Sequence, residues 1–193
     1  MIRTPEALVP YLLLCACVIA GLLWNMSAQL EPKQLAPLGG PFALTDQNGI
    51  VRHASDFRGK YVLVYFGYTF CPDVCPTTLA NEADALTRLG AKSSGVVPLF
   101  ITVDPARDTP KALKTYLAAF GPSFVGLTGA PADIATVAHE YRVYYGKRAL
   151  KGGGYAMDHS GEVYLLGPDG TLLGFYDPPI DGKALAEDLA KHL

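Results

Sequence analysis

The stretch that most constrains this chain is Tyr61-Val62-Leu63-Val64-Tyr65-Phe66-Gly67, which runs almost directly into Cys71-Pro72-Asp73-Val74-Cys75-Pro76. A continuous β-branched and aromatic run suits a strand buried on both faces. Pro76 has no backbone donor, so it belongs in the first turn of a following helix, where donors are unpaired anyway. Cys71 is then in the strand-to-helix loop and Cys75 at the helix start. Both sulfurs sit by the positive end of a helix dipole, which favours the thiolate, the species that attacks disulfides and ligates metals.

The flanking pattern extends this unit. Phe42 to Thr45, the turn Asp46-Gln47-Asn48-Gly49, and Ile50-Val51 read as a hairpin, because Asn-Gly supplies the positive φ angles of a tight turn. After the cysteines, Leu79, Ala83, Leu86 and Leu89 recur at helical spacing and Gly90 closes the helix. Val96 to Val103 repeats the buried-strand pattern. Thr109 and Pro110 then supply the cap and first position of a second helix to about Phe120. A short strand at Phe124 to Leu127 and a helix from Ala132 to Tyr141 follow. Gly152-Gly153-Gly154 predicts a mobile loop over Gly146 to Met157. Glu162 to Leu166, the turn Gly167-Pro168-Asp169-Gly170 and Thr171 to Tyr176 predict a second hairpin, before a final helix from Asp181 to His192. A βαβ unit followed by an antiparallel hairpin and a helix gives an α/β fold with a mixed sheet flanked by helices. The cysteine pair after the first buried strand narrows it to the thioredoxin-like architecture.

The chain has 193 residues, 50% of them hydrophobic, enough for one full core but not for two ordinary domains. A net charge of −2 with no lysine or arginine block excludes a nucleic-acid partner. Ala7 to Trp24 is an uncharged, largely apolar run of 18 positions, inside the roughly 17–25 residues of a membrane-spanning helix. It has no polar face, as a core helix would, and no small-x-small cleavage site after it. Leu14-Cys15-Ala16-Cys17 imitates a lipoprotein box, but apolar sequence continues to Trp24. An uncleaved anchor is expected at residues 1–24, a proline- and glycine-bearing linker at 25–41, and the domain at 42–193. Arg3 before the span favours a cytoplasmic N-terminus and an exported domain. The six residues before the span are too few for an organelle-import leader. The expected location is a bacterial inner membrane, single-pass, with the domain in the periplasm.

Three chemistries fit two cysteines at this spacing. A structural disulfide across so short a loop removes little unfolded-chain entropy. A redox pair usually has the shorter Cys-x-x-Cys spacing. The longer spacing lets two thiolates converge on one ion, and soft thiolates select copper(I) or zinc. Spacing alone does not choose between redox chemistry and metal binding. Of the four histidines, His53, His139 and His192 stand in polar contexts and read as solvated side chains. His159, in Met157-Asp158-His159-Ser160, precedes the late hairpin, a connection that faces the cysteine loop in a thioredoxin-like topology. Asp158 reads as a loop brace, since carboxylates are poor copper(I) ligands, and Met157 reads as packing. Arg107 either pairs with Asp104 or Asp108 to shape the loop after the second core strand, or presents charge to a partner.

On these residues the sequence resembles the Sco/SenC family, copper-binding proteins that help assemble the copper centre of cytochrome c oxidase. The resemblance covers about residues 42–192. It rests on Gly67 to Pro76, on Val103-Asp104-Pro105-Ala106-Arg107-Asp108-Thr109-Pro110, and on Asp158-His159-Ser160, and the family's single-span anchor matches Ala7 to Trp24. It implies copper ligands Cys71, Cys75 and His159, with the thiols kept reduced for loading. It also implies, as partners, the copper-bearing oxidase subunit and other copper carriers or thiol reductants. Two functions are then expected to compete: copper delivery, and thiol-disulfide exchange at the oxidase copper site with Cys71 and Cys75 as the redox pair. A peroxidase of the peroxiredoxin class ranks below both, because its Pro-x-x-x-Thr-x-x-Cys setting is missing. A copper carrier needs His159 as a ligand, whereas a dithiol catalyst can lose it.

Overall fold

A computed structural model describes residues 38–193. The expected anchor Ala7–Trp24 and the linker as far as residue 37 lie outside the described residues. Among the described residues no helix is long and apolar enough to cross a membrane. The chain is docked on the domain from Leu38 onward: Leu38 packs against the core and the Gly39 amide donates to the Glu140 carbonyl at 2.9 Å.

The first hairpin is β1 (Ala43–Asp46) and β2 (Val51–His53). Its turn is held by the Asp46 carboxylate, which accepts from the Asn48 and Ile50 amides at 2.8 and 3.0 Å, and Gly49 takes φ +81°. The central unit is β3 (Tyr61–Gly67), α1 (Val74–Leu89), β4 (Val96–Thr102), α2 (Pro110–Leu117), β5 (Val125–Thr128) and α3 (Pro131–Glu140). Thr109 caps α2 by accepting the Ala112 amide at 3.2 Å, and Pro110 opens the helix. Gly90, at φ +56°, ends α1. The chain continues through β6 (Tyr145–Ala149), β7 (Tyr155–His159), β8 (Val163–Leu166), β9 (Leu172–Tyr176) and α4 (Gly182–Leu189). Asp181 caps α4 through the Ala184 amide at 2.8 Å.

Seven strands form one mixed sheet in the order β2-β1-β5-β4-β3-β8-β9. β3, β4 and β5 are parallel, and β8 runs antiparallel beside β3. β3 and β4 are buried along nearly their whole length, with Leu63, Tyr65, Phe100 and Ile101 fully enclosed. α1 packs against α4, and α2 against β5. The register sets the functional end. Gly67 pairs with Thr102, so the loops leaving β3 and β4 emerge side by side, and Val163 pairs with Tyr65, so the chain entering β8 arrives at the same place.

One segment departs from the sequence expectation. Where glycines predict a mobile loop over Gly146 to Met157, β6 and β7 form a two-stranded hairpin with Tyr145 opposite His159 and Ala149 opposite Tyr155. The glycines occupy only its tip, with Gly153 and Gly154 at φ +92° and +76°. Only Met157 of the ribbon is buried, with Tyr145 and Tyr155 partly covered, so exposed Lys147 and Arg148 leave little apolar alternation to reveal the strands. α1 starts at Val74, which puts Cys75 and Pro76 in its first turn as the missing donor of Pro76 requires.

Candidate metal centre

The site begins with Gly67, the last residue of β3. A Cβ there would stand 2.9 Å from Cys75 Sγ and 2.8 Å from the Phe100 ring, so only glycine lets the strand pass beneath the sulfur. The loop beyond it is pinned from the neighbouring strand. The buried Asp108 carboxylate accepts from the Thr69 amide at 3.0 Å, the Thr69 hydroxyl at 2.6 Å and the Thr102 hydroxyl at 2.6 Å. Burial pushes the Asp108 carboxyl above its ordinary range, and these threonine hydrogen bonds pull against that shift.

Cys71 is half-buried and Cys75 completely buried, and both thiols are free. The Cys75 amide, in the first turn of α1, points at Cys71 Sγ at 3.5 Å. Cys71 is drawn well below the ordinary thiol range, first by the hydrogen bond from the Cys75 thiol, with burial opposing, and then by the Cys75 and Asp73 amides. Cys75 is pushed up, by the hydrogen bond it gives Cys71 and by burial. The pair is therefore asymmetric: an accessible Cys71 thiolate and an enclosed Cys75 thiol. Two neutral donors steady Cys75, the Tyr65 hydroxyl at 3.4 Å and the Tyr68 amide.

His159 ends β7 with Nε2 3.5 Å from Cys75 Sγ. Its Nδ1 lies 2.6 Å from the Ser160 carbonyl oxygen. A carbonyl only accepts, so Nδ1 carries the proton and the Nε2 lone pair faces the sulfurs, the tautomer a metal ligand requires. The ring stands edge-on to Tyr65 and Tyr68, at 6.2 and 5.8 Å between centroids. Ser160 is itself fixed, its amide donating to the Tyr144 carbonyl at 2.9 Å and its hydroxyl oxygen accepting the Tyr144 amide at 3.1 Å.

One ligand atom from each of Cys71, Cys75 and His159 lies within 4.8 Å of the other two. Donors about 2.0–2.3 Å from a common ion stand no more than about 4.6 Å apart, close to the spacing this group keeps. Two sulfurs and one imidazole form a soft set that suits copper(I) or zinc. Among the described residues no other such group of three occurs.

The remaining sequence candidates lie elsewhere. His53, His139 and His192 are exposed, at the end of β2, in the last turn of α3 and after α4. Asp158 points away and pairs with Arg148 at 3.0 Å, and Met157 is buried packing. Arg107 pairs with the buried Asp104 rather than standing free. Tyr65 and Tyr68 carry no sequence signal for this role, since strand aromatics read first as core.

A comparison with protein families matches SCO1/SenC over residues 30–193. Among solved structures the chain is similar to Bradyrhizobium japonicum ScoI with copper bound, at 44% identity and TM-score 0.76, covering 81% of this chain and 99% of that one. It is also similar to BsSco, described as a member of the Sco family of cytochrome c oxidase assembly proteins with a disulfide switch. That match has 26% identity and TM-score 0.65, over 82% of this chain and 96% of that one. Among curated proteins, Bos taurus protein SCO2 homolog, mitochondrial, is 41% identical over 164 residues, 83% of this chain. The chain spans 62% of the length of that relative. With the family pattern matched along most of its length, the chain belongs to the SCO1/SenC family.

Proposed function

We propose that this protein binds one copper ion through Cys71, Cys75 and His159 and delivers it to, or prepares, the copper centre of cytochrome c oxidase. The observation that carries this reading is the His159 Nε2 lone pair turned onto a thiolate–thiol pair within ligand distance of one ion. Copper bound in the similar ScoI structure supports it. On loading, Cys75 gives up its proton and the ion replaces the hydrogen bond that Cys75 made to Cys71. The proposal includes an anchor at residues 1–24, a linker at 25–41 and a domain at 42–193 held in the bacterial periplasm. An active C-terminal phosphatase fusion is the expected result for that orientation. Anaerobic copper titration of the reduced protein, followed by incubation with a copper-free oxidase subunit, tests the central claim. One equivalent bound and transferred is expected; retention of copper by a His159→Ala variant equal to that of wild type would remove the third ligand.

The asymmetry of the thiols favours a second reading, exchange with a partner disulfide. The Cys71 thiolate attacks that disulfide and expels one partner thiolate. Cys75 then loses its proton and attacks Cys71 Sγ, which releases the second partner thiolate. Two electrons pass to the partner, and Cys71–Cys75 becomes a disulfide. In this reading His159→Ala keeps the activity, so the same variant separates the two.

A further inference from the structure

The three donors come from two different bodies of the fold. Cys71 and Cys75 follow β3, in the middle of the seven-stranded sheet, whereas His159 ends β7, and β6 and β7 pair only with each other in a separate sheet. Side chains must therefore hold the hairpin against the cysteine loop, and one residue touches both. Arg107 Nε pairs with the buried Asp104, and its Nη1 donates to the Tyr155 carbonyl oxygen at 3.0 Å. The Tyr155 hydroxyl donates to Asp104 Oδ1 at 2.9 Å, which closes a ring of Asp104, Arg107 and Tyr155.

The same guanidinium is packed between aromatic faces. Its central carbon lies 3.8 Å from the Tyr155 ring centre, 4.7 Å from that of Phe70 and 5.7 Å from that of Tyr68. Tyr155 begins β7, the strand that His159 ends. Phe70 directly precedes Cys71, and Tyr68 stands against the His159 ring. A planar guanidinium that stacks on one segment while bonding another is a geometry that lysine cannot reproduce.

The geometry points to Arg107 as the latch that presents His159 to the cysteine pair. It is a positioning residue that touches neither the sulfurs nor the imidazole, and it acts through Tyr155 and the short strand to His159. The inference rests on the copper reading above. Groups that orient ligands without binding the metal change affinity by about 10- to 100-fold when lost, and that is the size expected here.

The test uses the full chain, reduced, with copper(I) retention measured against a chromogenic chelator for wild type, Arg107→Lys, Tyr155→Leu, His159→Ala and the Arg107→Lys/His159→Ala double variant. Arg107→Lys and Tyr155→Leu are each expected to weaken retention roughly 10- to 100-fold, while the rate of Cys71–Cys75 disulfide formation stays at the wild-type value. The double variant should hold copper as well as His159→Ala alone, because a latch has nothing left to present. In the copper(II)-loaded protein, nitrogen hyperfine coupling from one imidazole should weaken in Arg107→Lys as in His159→Ala. Tyr155→Leu approaches the same contact from the hairpin side, so the inference stays open to refutation even where Arg107→Lys folds poorly. Wild-type retention in both latch variants, or a further loss in the double variant, would overturn the latch alone. Wild-type retention in His159→Ala would overturn the three-ligand reading and the latch with it.

Discussion

Cys75 Sγ and His159 Nε2 lie 3.5 Å apart although 84 positions separate the two residues in sequence. The register of the sheet produces this meeting. Tyr65, two residues before the end of β3, pairs with Val163 of β8, so the chain that carries His159 has to enter the sheet beside the strand that leads into the cysteines. Several measurable consequences depend on how that meeting is held.

The first concerns the thiols. With Cys71 drawn below the ordinary thiol range by the Cys75 hydrogen bond, its thiolate persists to lower pH than that of a free cysteine. Alkylation of Cys71 by iodoacetamide, followed by mass spectrometry of the reduced, copper-free protein, should give a rate that climbs less steeply between pH 5 and 8 than that of a free thiol. Cys75, enclosed and pushed up, should remain unmodified until Cys71 has reacted. An ordinary thiol titrates near 8.5 and its rate would climb about tenfold per unit from pH 5 to 8; that profile at Cys71 would refute the assignment.

Gly67→Ala is expected to damage the centre more than the fold. The added methyl would meet Cys75 Sγ at 2.9 Å and the Phe100 ring at 2.8 Å, and neither group has open space to yield into, since both residues are fully buried. Overpacking of this kind costs roughly 1–3 kcal/mol, which shows as a lowered urea midpoint, and the displaced sulfur should weaken copper retention. Unchanged retention with the sulfur environment intact would count against a role for this glycine.

How much of this was legible in the sequence follows from the range of each interaction. The strands β3 and β4, the cap Thr109 and the glycine stop at Gly90 are local chemistry, and their places in the structure match the residues that announce them. Cys71, Cys75 and His159 were legible as candidate donors because their motifs are compact, and the structure brings the three together. The hairpin of β6 and β7 was not, because its pairing is with itself and Met157 is its only buried residue. Tyr65, Tyr68 and Tyr155 could not be assigned to the site from sequence, since each acts through a contact that exists only once distant segments have met.

Amide exchange should expose the division of labour within that hairpin. Its tip has two backbone bonds, from the Leu150 amide to Gly154 and from the Gly153 amide to Leu150, at 3.2 and 3.0 Å. Both are exposed, so residues 150–154 should exchange fastest. Copper is expected to slow exchange at residues 156–159, which lead into the ligand, and to leave the tip fast. In His159→Ala the protection at 156–159 should not appear. Equal exchange with and without copper in the wild type would break the link between hairpin order and ligation.

The last consequence lies away from the sulfurs. Glu82, on the buried face of α1, is fully enclosed, and neither carboxylate oxygen has a hydrogen-bond partner. Burial alone raises its carboxyl well above the ordinary 4.5. The sign follows from proton counting: between the unfolded value and the raised folded value the native state holds a proton that the unfolded chain has lost. The stability available at acid pH, where both states are protonated, is therefore lost progressively as pH rises above about 4.5. Replacing the acid by an apolar side chain of similar length removes this loss, and leaving a buried polar group unsatisfied costs roughly 1–3 kcal/mol. Glu82→Met is accordingly expected to raise the unfolding free energy by about that amount at pH 8, with a smaller gain at pH 5. Urea denaturation of the reduced, copper-free protein at the two pH values measures both numbers. A gain that is the same at both would mean that Glu82 does not titrate on unfolding, and a loss at pH 8 would mean that the carboxylate has a partner in the folded protein.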